Sequence, residues 1–280
     1  MLGILRSIFV HHSGRIGGII VVVYVLVAIL GLLGVTPYPP VLQHRLDRLH
    51  APSLLYPMGT DLFGRDVLSR LMAGVGASFV IAFSSVVAAS VIGTALGLTA
   101  AWFGRWWDGV TMRLMDVLLA FPAILLALLI ITVMGPGTGT SIAAIAIVYT
   151  PIFTRVVRGP ALSIKEREFV DAARTFGSRP SYILTRHLLI NLVAPLTVQV
   201  TLALAWALLT EAGLSFLGLG TQPPASSLGL MLSDSRNLME TAPWLLIFPG
   251  LTVMLGILGF NLIGDALRDI LDPKTRRSVR

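Results

Sequence analysis

The sequence has no cysteine. That excludes disulfides, a thiolate nucleophile and any Cys-ligated zinc or iron–sulfur site. Charge is also scarce. Only 12% of the 280 residues are charged, whereas soluble domains carry about 25%. With 55% hydrophobic residues and a mean hydropathy of +0.84, the chain has too little polar surface for a cytosolic enzyme, a secreted domain or a disordered tail. Gly and Pro follow no period, which excludes collagen. No G-x-x-x-x-G-K-[ST] phosphate loop occurs. Gly135-Pro-Gly-Thr-Gly139 lacks the lysine and reads as a turn between spans. G-x-S-x-G and H-E-x-x-H are missing as well. His11 and His12 sit in the N-terminal tail, and His44 and His50 are too scattered to suggest a metal site. No catalytic set remains.

What is present is a series of long uncharged runs. A helix needs about 20 apolar residues to cross a bilayer core. Residues 16–44, 71–104, 117–154, 187–210 and 241–264 contain no Asp, Glu, Lys or Arg. The third run is too long for one helix and breaks at Gly135-Pro-Gly. These runs predict six spans, at about 16–35, 77–101, 113–133, 140–158, 188–209 and 243–264. Span 1 is longer than the apolar part of a signal peptide and no A-x-A site follows it, so it is expected to stay as a span. Gly93 and Gly97 in span 2 match a close-packing G-x-x-x-G. Asp116 falls about one turn inside span 3, where Arg113 is its expected partner. Ionisable residues are otherwise nearly missing from the spans, which argues against a proton or ion path.

Cytoplasmic loops are enriched in Lys and Arg. With both termini inside, 16 of the 21 Lys and Arg fall on cytoplasmic pieces. Attraction to anionic cytoplasmic leaflets then explains the net charge of +7 without nucleic acid. The expected order is a cytoplasmic tail (1–15), span 1, an external loop (36–76), the core of spans 2–6 (77–264) and a basic cytoplasmic tail (265–280).

Three segments outside the spans carry structure of their own. The external loop holds Met58-Gly-Thr-Asp-Leu-Phe-Gly-Arg-Asp-Val-Leu-Ser-Arg70, read as a short amphipathic helix capped by Asp61. It lies on the membrane or docks a partner. The internal segment 159–187 reads as two helices around a corner. Ser163 and Glu166 form a capping box, Gly177 stops the first helix and Pro180 starts the second. Small Ala172 and Ala173 beside bulky Phe169 and Phe176 suggest a face that another protein approaches closely. In the external segment 211–242, Gly213, Gly218 and Gly220 interrupt an apolar run too short to span. Irregular backbone at membrane depth is tolerated only where protein or water covers it. A re-entrant loop lining a translocation path, with Glu211 and Phe216 beside those glycines, fits that condition.

Glu168-Phe-Val-Asp-Ala-Ala-Arg-Thr-Phe-Gly177 resembles the EAA motif of binding-protein-dependent ABC importer permeases. Asp171 stands where the family usually has Glu and keeps the charge. Ile190 stands where many members have Pro. Residues 58–70, Ala212-Gly-Leu-Ser-Phe-Leu-Gly-Leu-Gly220 and Asn261-Leu-Ile-Gly-Asp-Ala-Leu-Arg-Asp-Ile-Leu-Asp-Pro273 are similar to the C-type subunit of the dipeptide/oligopeptide/nickel subfamily. The resemblance implies an all-α type I importer permease in a bacterial or archaeal inner membrane. It implies a second related permease, an external binding protein and two cytoplasmic ATPases that hold ATP and Mg. Glu168, Phe169, Asp171, Ala172, Ala173, Arg174 and Gly177 would couple to the ATPases. No cofactor is expected in this chain. Nickel or metal-chelate import is the alternative within the family. An ion-coupled secondary transporter is the alternative outside it, and a membrane-embedded enzyme comes third.

Overall fold

The structure is a computed structural model, and it describes residues 12–271. Helices α1 (His12–Leu32), α2 (Val67–Phe103), α5 (Thr138–Lys165), α7 (Pro180–Phe216) and α9 (Trp244–Leu271) are each long and apolar enough to cross a membrane. Between α2 and α5 lie α3 (Arg105–Leu119) and α4 (Ala123–Met134), bent by 94° to one another. The expected continuous span at 113–133 is therefore two helices. The cause is local: Pro122 has no N–H to donate and disfavours helix at Phe121. Five spans are continuous, and the bent pair supplies a sixth if it counts as one.

Other boundaries shift for similar reasons. The short helix expected in the external loop is the first part of α2, which begins at Val67. Asp66 is its cap, accepting from Ser69 N at 2.8 Å. Asp61, the expected cap, accepts instead from the backbone of Phe63 (2.8 Å) and Arg65 (2.9 Å) and pairs with Arg65 Nε (2.6 Å) and Arg70. These bonds fold the loop 33–66 into a compact unit. Tyr56 is buried in it and donates to Asp47 at 3.0 Å. Burial, and then that bond, raise the Tyr56 pKa. The Trp244 indole at the start of α9 donates to Thr60 O at 3.3 Å, tying α9 to the loop.

α2 and α5 form the central contact. The two glycines of the G-x-x-x-G run make it possible. A Cβ at Gly93 would lie 2.8 Å from Thr150 O, and one at Gly97 would lie 2.6 Å from Thr154 O. The buried apolar side chains divide into two clusters. The larger joins α1, α2, α4, α5, α7, α8 (Leu228–Ser235) and α9, with Ile81, Ile131, Ile145 and Phe153 wholly buried. The smaller lies at the far ends of α2 and α5 from the loop. It is built from Leu98, Val157, Ile164, Val170, Ile183 and Leu188, among others. Outward positions such as Ile19, Val23, Leu26, Val91, Leu129 and Met254 are apolar and exposed. A surface of that kind requires lipid or a partner rather than water.

Candidate functional site

The smaller cluster positions α6 (Glu168–Thr175), the short helix that carries the EAA-like residues. The expected capping box does not form. Ser163 lies within α5 and Glu166 ends that helix. α6 starts after Arg167, whose side chain makes no cap. What fixes α6 is its inward face. Val170 is wholly buried and Ala173 packs partly against the cluster. Burying the Val170 side chain contributes about 1.5–3 kcal/mol.

The corner after α6 is sharply defined. Gly177 has φ +75°, the left-handed region expected of it. Its N–H donates to Arg174 O at 2.9 Å and that of Ser178 donates to Ala173 O at 3.0 Å. This pair of bonds is a Schellman stop. A Cβ at Gly177 would meet nothing within 4 Å. The glycine is needed for backbone conformation and not for space. Pro180 opens α7, which contains a π-helical turn at Ile183–Leu188. Phe169 faces His187 of that turn, with ring centroids 5.9 Å apart.

Glu168, Phe169, Asp171, Ala172, Phe176 and Gly177 are exposed, Phe176 at 89%. They form an acidic and apolar face with small Ala172 at its centre. Arg174, expected to couple to the ATPases, is exposed, and its guanidinium carbon lies 4.6 Å from the Trp102 ring centroid at the end of α2. Lys165 joins the same place, donating to Ala101 O (2.9 Å) and Trp102 O (2.7 Å). Sequence reasoning missed both Trp102 and Lys165. The sequence places them 63 residues apart, and only the packing of α2 on α5 brings them together.

A second group surrounds Glu211. The helix of span 5 continues through Phe216, so Glu211, Gly213 and Phe216 are helical and not in a loop. The chain turns at Gly218 (φ +79°) and folds back, and α8 packs against α7 and α9. Gly220 and Gly229 have no room for a Cβ against Ser215 and Ala212. Glu211 is wholly buried. Ser215 Oγ donates to its Oε1 at 2.7 Å and accepts from Thr221 N at 3.3 Å. Glu211 Oε2 has no hydrogen-bond partner among the described residues, although the hydroxyls of Ser78 and Ser227 lie near the carboxyl. Each accepts a backbone N–H of the returning segment, from Leu228 at 3.3 Å and Leu230 at 3.2 Å. A hydroxyl that accepts from backbone keeps its proton to donate. Glu211 thus stands where hydroxyls from α2, α7 and α8 converge.

At the loop end a cavity of about 210 Å³ is lined by Asp61, Arg65, Arg70, Met231, Asp234 and Leu245, among others. Arg70 is nearly buried and lies 3.6 Å from Asp234. Burial raises the Asp234 pKa, and nearby Arg65 opposes that. The Asp116 partner is Arg155 at 2.5 Å rather than Arg113, and Asp108 pairs with Arg158 at 2.5 Å. Among the described residues no group of three metal-ligating side chains occurs.

The family model described as the binding-protein-dependent transport system inner membrane component covers residues 93–277. The chain belongs to this family. It is thus a permease subunit of an ABC importer. It is 45% identical to a dipeptide transport system permease protein, DppC, of Alkalihalophilus pseudofirmus, over 93% of this chain and 86% of that one. It is 40% identical to the di/tripeptide permease DppC of Pseudomonas aeruginosa, over 97% and 91% of the two chains. It is 39% identical to the glutathione permease GsiD of Pectobacterium atrosepticum, over 97% and 90%. Among solved structures it resembles a chain of the MetNI methionine ABC transporter in inward-facing conformations. The TM-score is 0.59 at 18% identity, covering 72% of this permease and 96% of that chain. That likeness speaks to fold alone.

Proposed function

We propose that this permease, paired with a second related one, forms the path by which an ATP-driven importer takes up di- or oligopeptides. The observation that carries the reading is the α6 corner. Its inner face is fixed by Val170 and its end by Gly177, while Phe169, Ala172 and Phe176 are left open. A helix built this way fits a cleft in an ATPase subunit. ATP and Mg belong to two such ATPases, and this chain supplies the docking face. Relatives named for dipeptides, di/tripeptides and glutathione favour peptide over nickel as cargo. The distribution of Lys and Arg puts the α6 end and both termini in the cytoplasm. The loop 33–66 and the Glu211 segment then face the external binding protein, in the inner membrane of a bacterium or archaeon.

The test is reconstitution with the second permease, both ATPases and the binding protein. Peptide uptake is expected to require ATP and to exceed nickel uptake. Uptake that follows an ion gradient without ATP would replace this reading with secondary transport. Orientation has its own test, because the chain lacks cysteine. An impermeant thiol reagent outside intact cells is expected to label Cys at Ser53 or Thr138 and spare Cys at Ser178. Cys at Ser278, which lies outside the described residues, is expected to be spared as well.

A further inference from the structure

We propose that Trp102 is the positioning residue through which α6 grips α2, with Arg174 and Lys165 as its two cationic partners. The inference rests on the docking role proposed for α6 and adds the route by which its movement enters the membrane helices.

The geometry is specific. α6 touches the rest of the chain through the smaller core below it, through Phe169 against the π-helical turn, and through Arg174 over Trp102. The core reaches the end of α2 as well, through Leu98 and Ala101, and the last contact adds a directional one at Trp102. Trp102 is also held by Lys165, whose ammonium takes the carbonyls of Ala101 and Trp102 and stands 5.9 Å from the same ring. Those carbonyls belong to the last turn of α2, where helix C=O groups lack helical partners and favour a cation. A guanidinium on an indole face is attracted by the ring and also stacks on it. The contact holds direction without locking rotation.

α2 is the helix best placed to receive such a grip. It runs unbroken for 37 residues, about 55 Å. Its outer start carries Arg70, bound to Asp61 of the loop. Further along, Ser78 meets the α8 segment, and Gly93 and Gly97 seat α5. A push on α6 that turns Trp102 therefore acts on a rod that touches both the loop and the Glu211 group. Arg174 spends its charge on Trp102, with Asp171 only weakly placed at 3.4 Å, so its first service is within this chain.

The experiment uses the complete reconstituted importer. Readouts are binding-protein-stimulated ATPase, peptide uptake and copurification of the ATPases. Trp102→Leu and Arg174→Leu are each expected to lower peptide taken up per ATP by about fivefold or more, with copurification unchanged. Trp102→Phe and Arg174→Lys keep a ring and a cation and are expected to retain most coupling. The double Leu variant is expected to be no worse than Trp102→Leu alone, because that change already removes the Arg174 contact. Trp106→Leu, at an exposed position on α3, is the control. Multiplying single effects, or full coupling in Arg174→Leu, would overturn the proposal. If Trp102→Leu fails to insert, the Arg174 pair still decides it. Loss of copurification in Arg174→Leu would mean that Arg174 contacts the ATPase directly, which also overturns it. If the unaltered complex shows no stimulated ATPase, the docking reading falls first and separately.

Discussion

The two ends of α2 are anchored by different physics. At the loop end, Asp61, Arg65 and Arg70 share a nearly buried ion-pair group in which the carboxylate also takes two backbone N–H bonds. At the α6 end, cations lie on an indole face and on open carbonyls above a small apolar core. A buried charge left without its partner is costly in every direction of displacement. A cation over a ring tolerates sliding. The loop end is built to hold one arrangement, and the α6 end is built to move while staying attached.

The sharpest way to break this contrast is Asp61→Ala, which leaves nearly buried Arg70 with only the longer contact to Asp234 at 3.6 Å. A loss of about 3–5 kcal/mol is expected, read as a large fall in the melting temperature of the purified complex. Asp61→Leu combined with Arg70→Met should recover much of it, since apolar pairs often replace buried ion pairs at little cost. A small effect of Asp61→Ala would mean that water reaches the group.

At the other end, Gly177→Val should cost about 1–2 kcal/mol through its left-handed backbone. It should loosen ATPase attachment while membrane insertion survives. Gly177→Asn should be milder, because Asn tolerates that conformation and nothing crowds the site. Equal harm from Asn and Val would point to space, and the conformational argument would fail.

The smallest effect belongs to Asp116→Asn. Its bond to Arg155 is about half exposed on both sides, and exposed pairs contribute about 0–1 kcal/mol. High salt should erase even that, whereas the melting of the Asp61 group should hardly respond. The check is the salt dependence of the two variants side by side.

The uncharged runs announced the continuous helices, because burial in lipid demands uninterrupted apolar sequence. The EAA-like residues announced the corner, and Gly177 adopts the backbone expected of it. Three features were hidden for physical reasons. The break at Pro122 was masked by the hydropathy on both sides of it. The Asp61 group looked like a helix cap, since a carboxylate before an apolar run serves equally as a cap or as a partner for arginines four and nine residues further on. Trp102 gave no local signal, because a lone tryptophan at a span end reads as an interface anchor until α5 brings Lys165 beside it. Glu211 read as part of an external loop, yet it lies in the last turns of α7, buried beside segments that sequence spacing does not connect.

The bend between α3 and α4 has a consequence for the surrounding lipid. α4 has 12 residues, a rise of about 18 Å, against a hydrocarbon layer of about 30 Å. Its faces at Ile124, Leu125, Leu129 and Val133 are open. The bilayer beside α4 meets an apolar wall shorter than its hydrocarbon layer, and hydrophobic mismatch of this kind costs fractions of a kcal/mol per Å. Short-chain lipids should therefore suit this flank best. Reconstituted in bilayers of graded chain length, the importer is expected to slow as the chains lengthen. A rate indifferent to thickness would mean that the second permease covers α4, and the mismatch would then be a device for bringing the two permeases together.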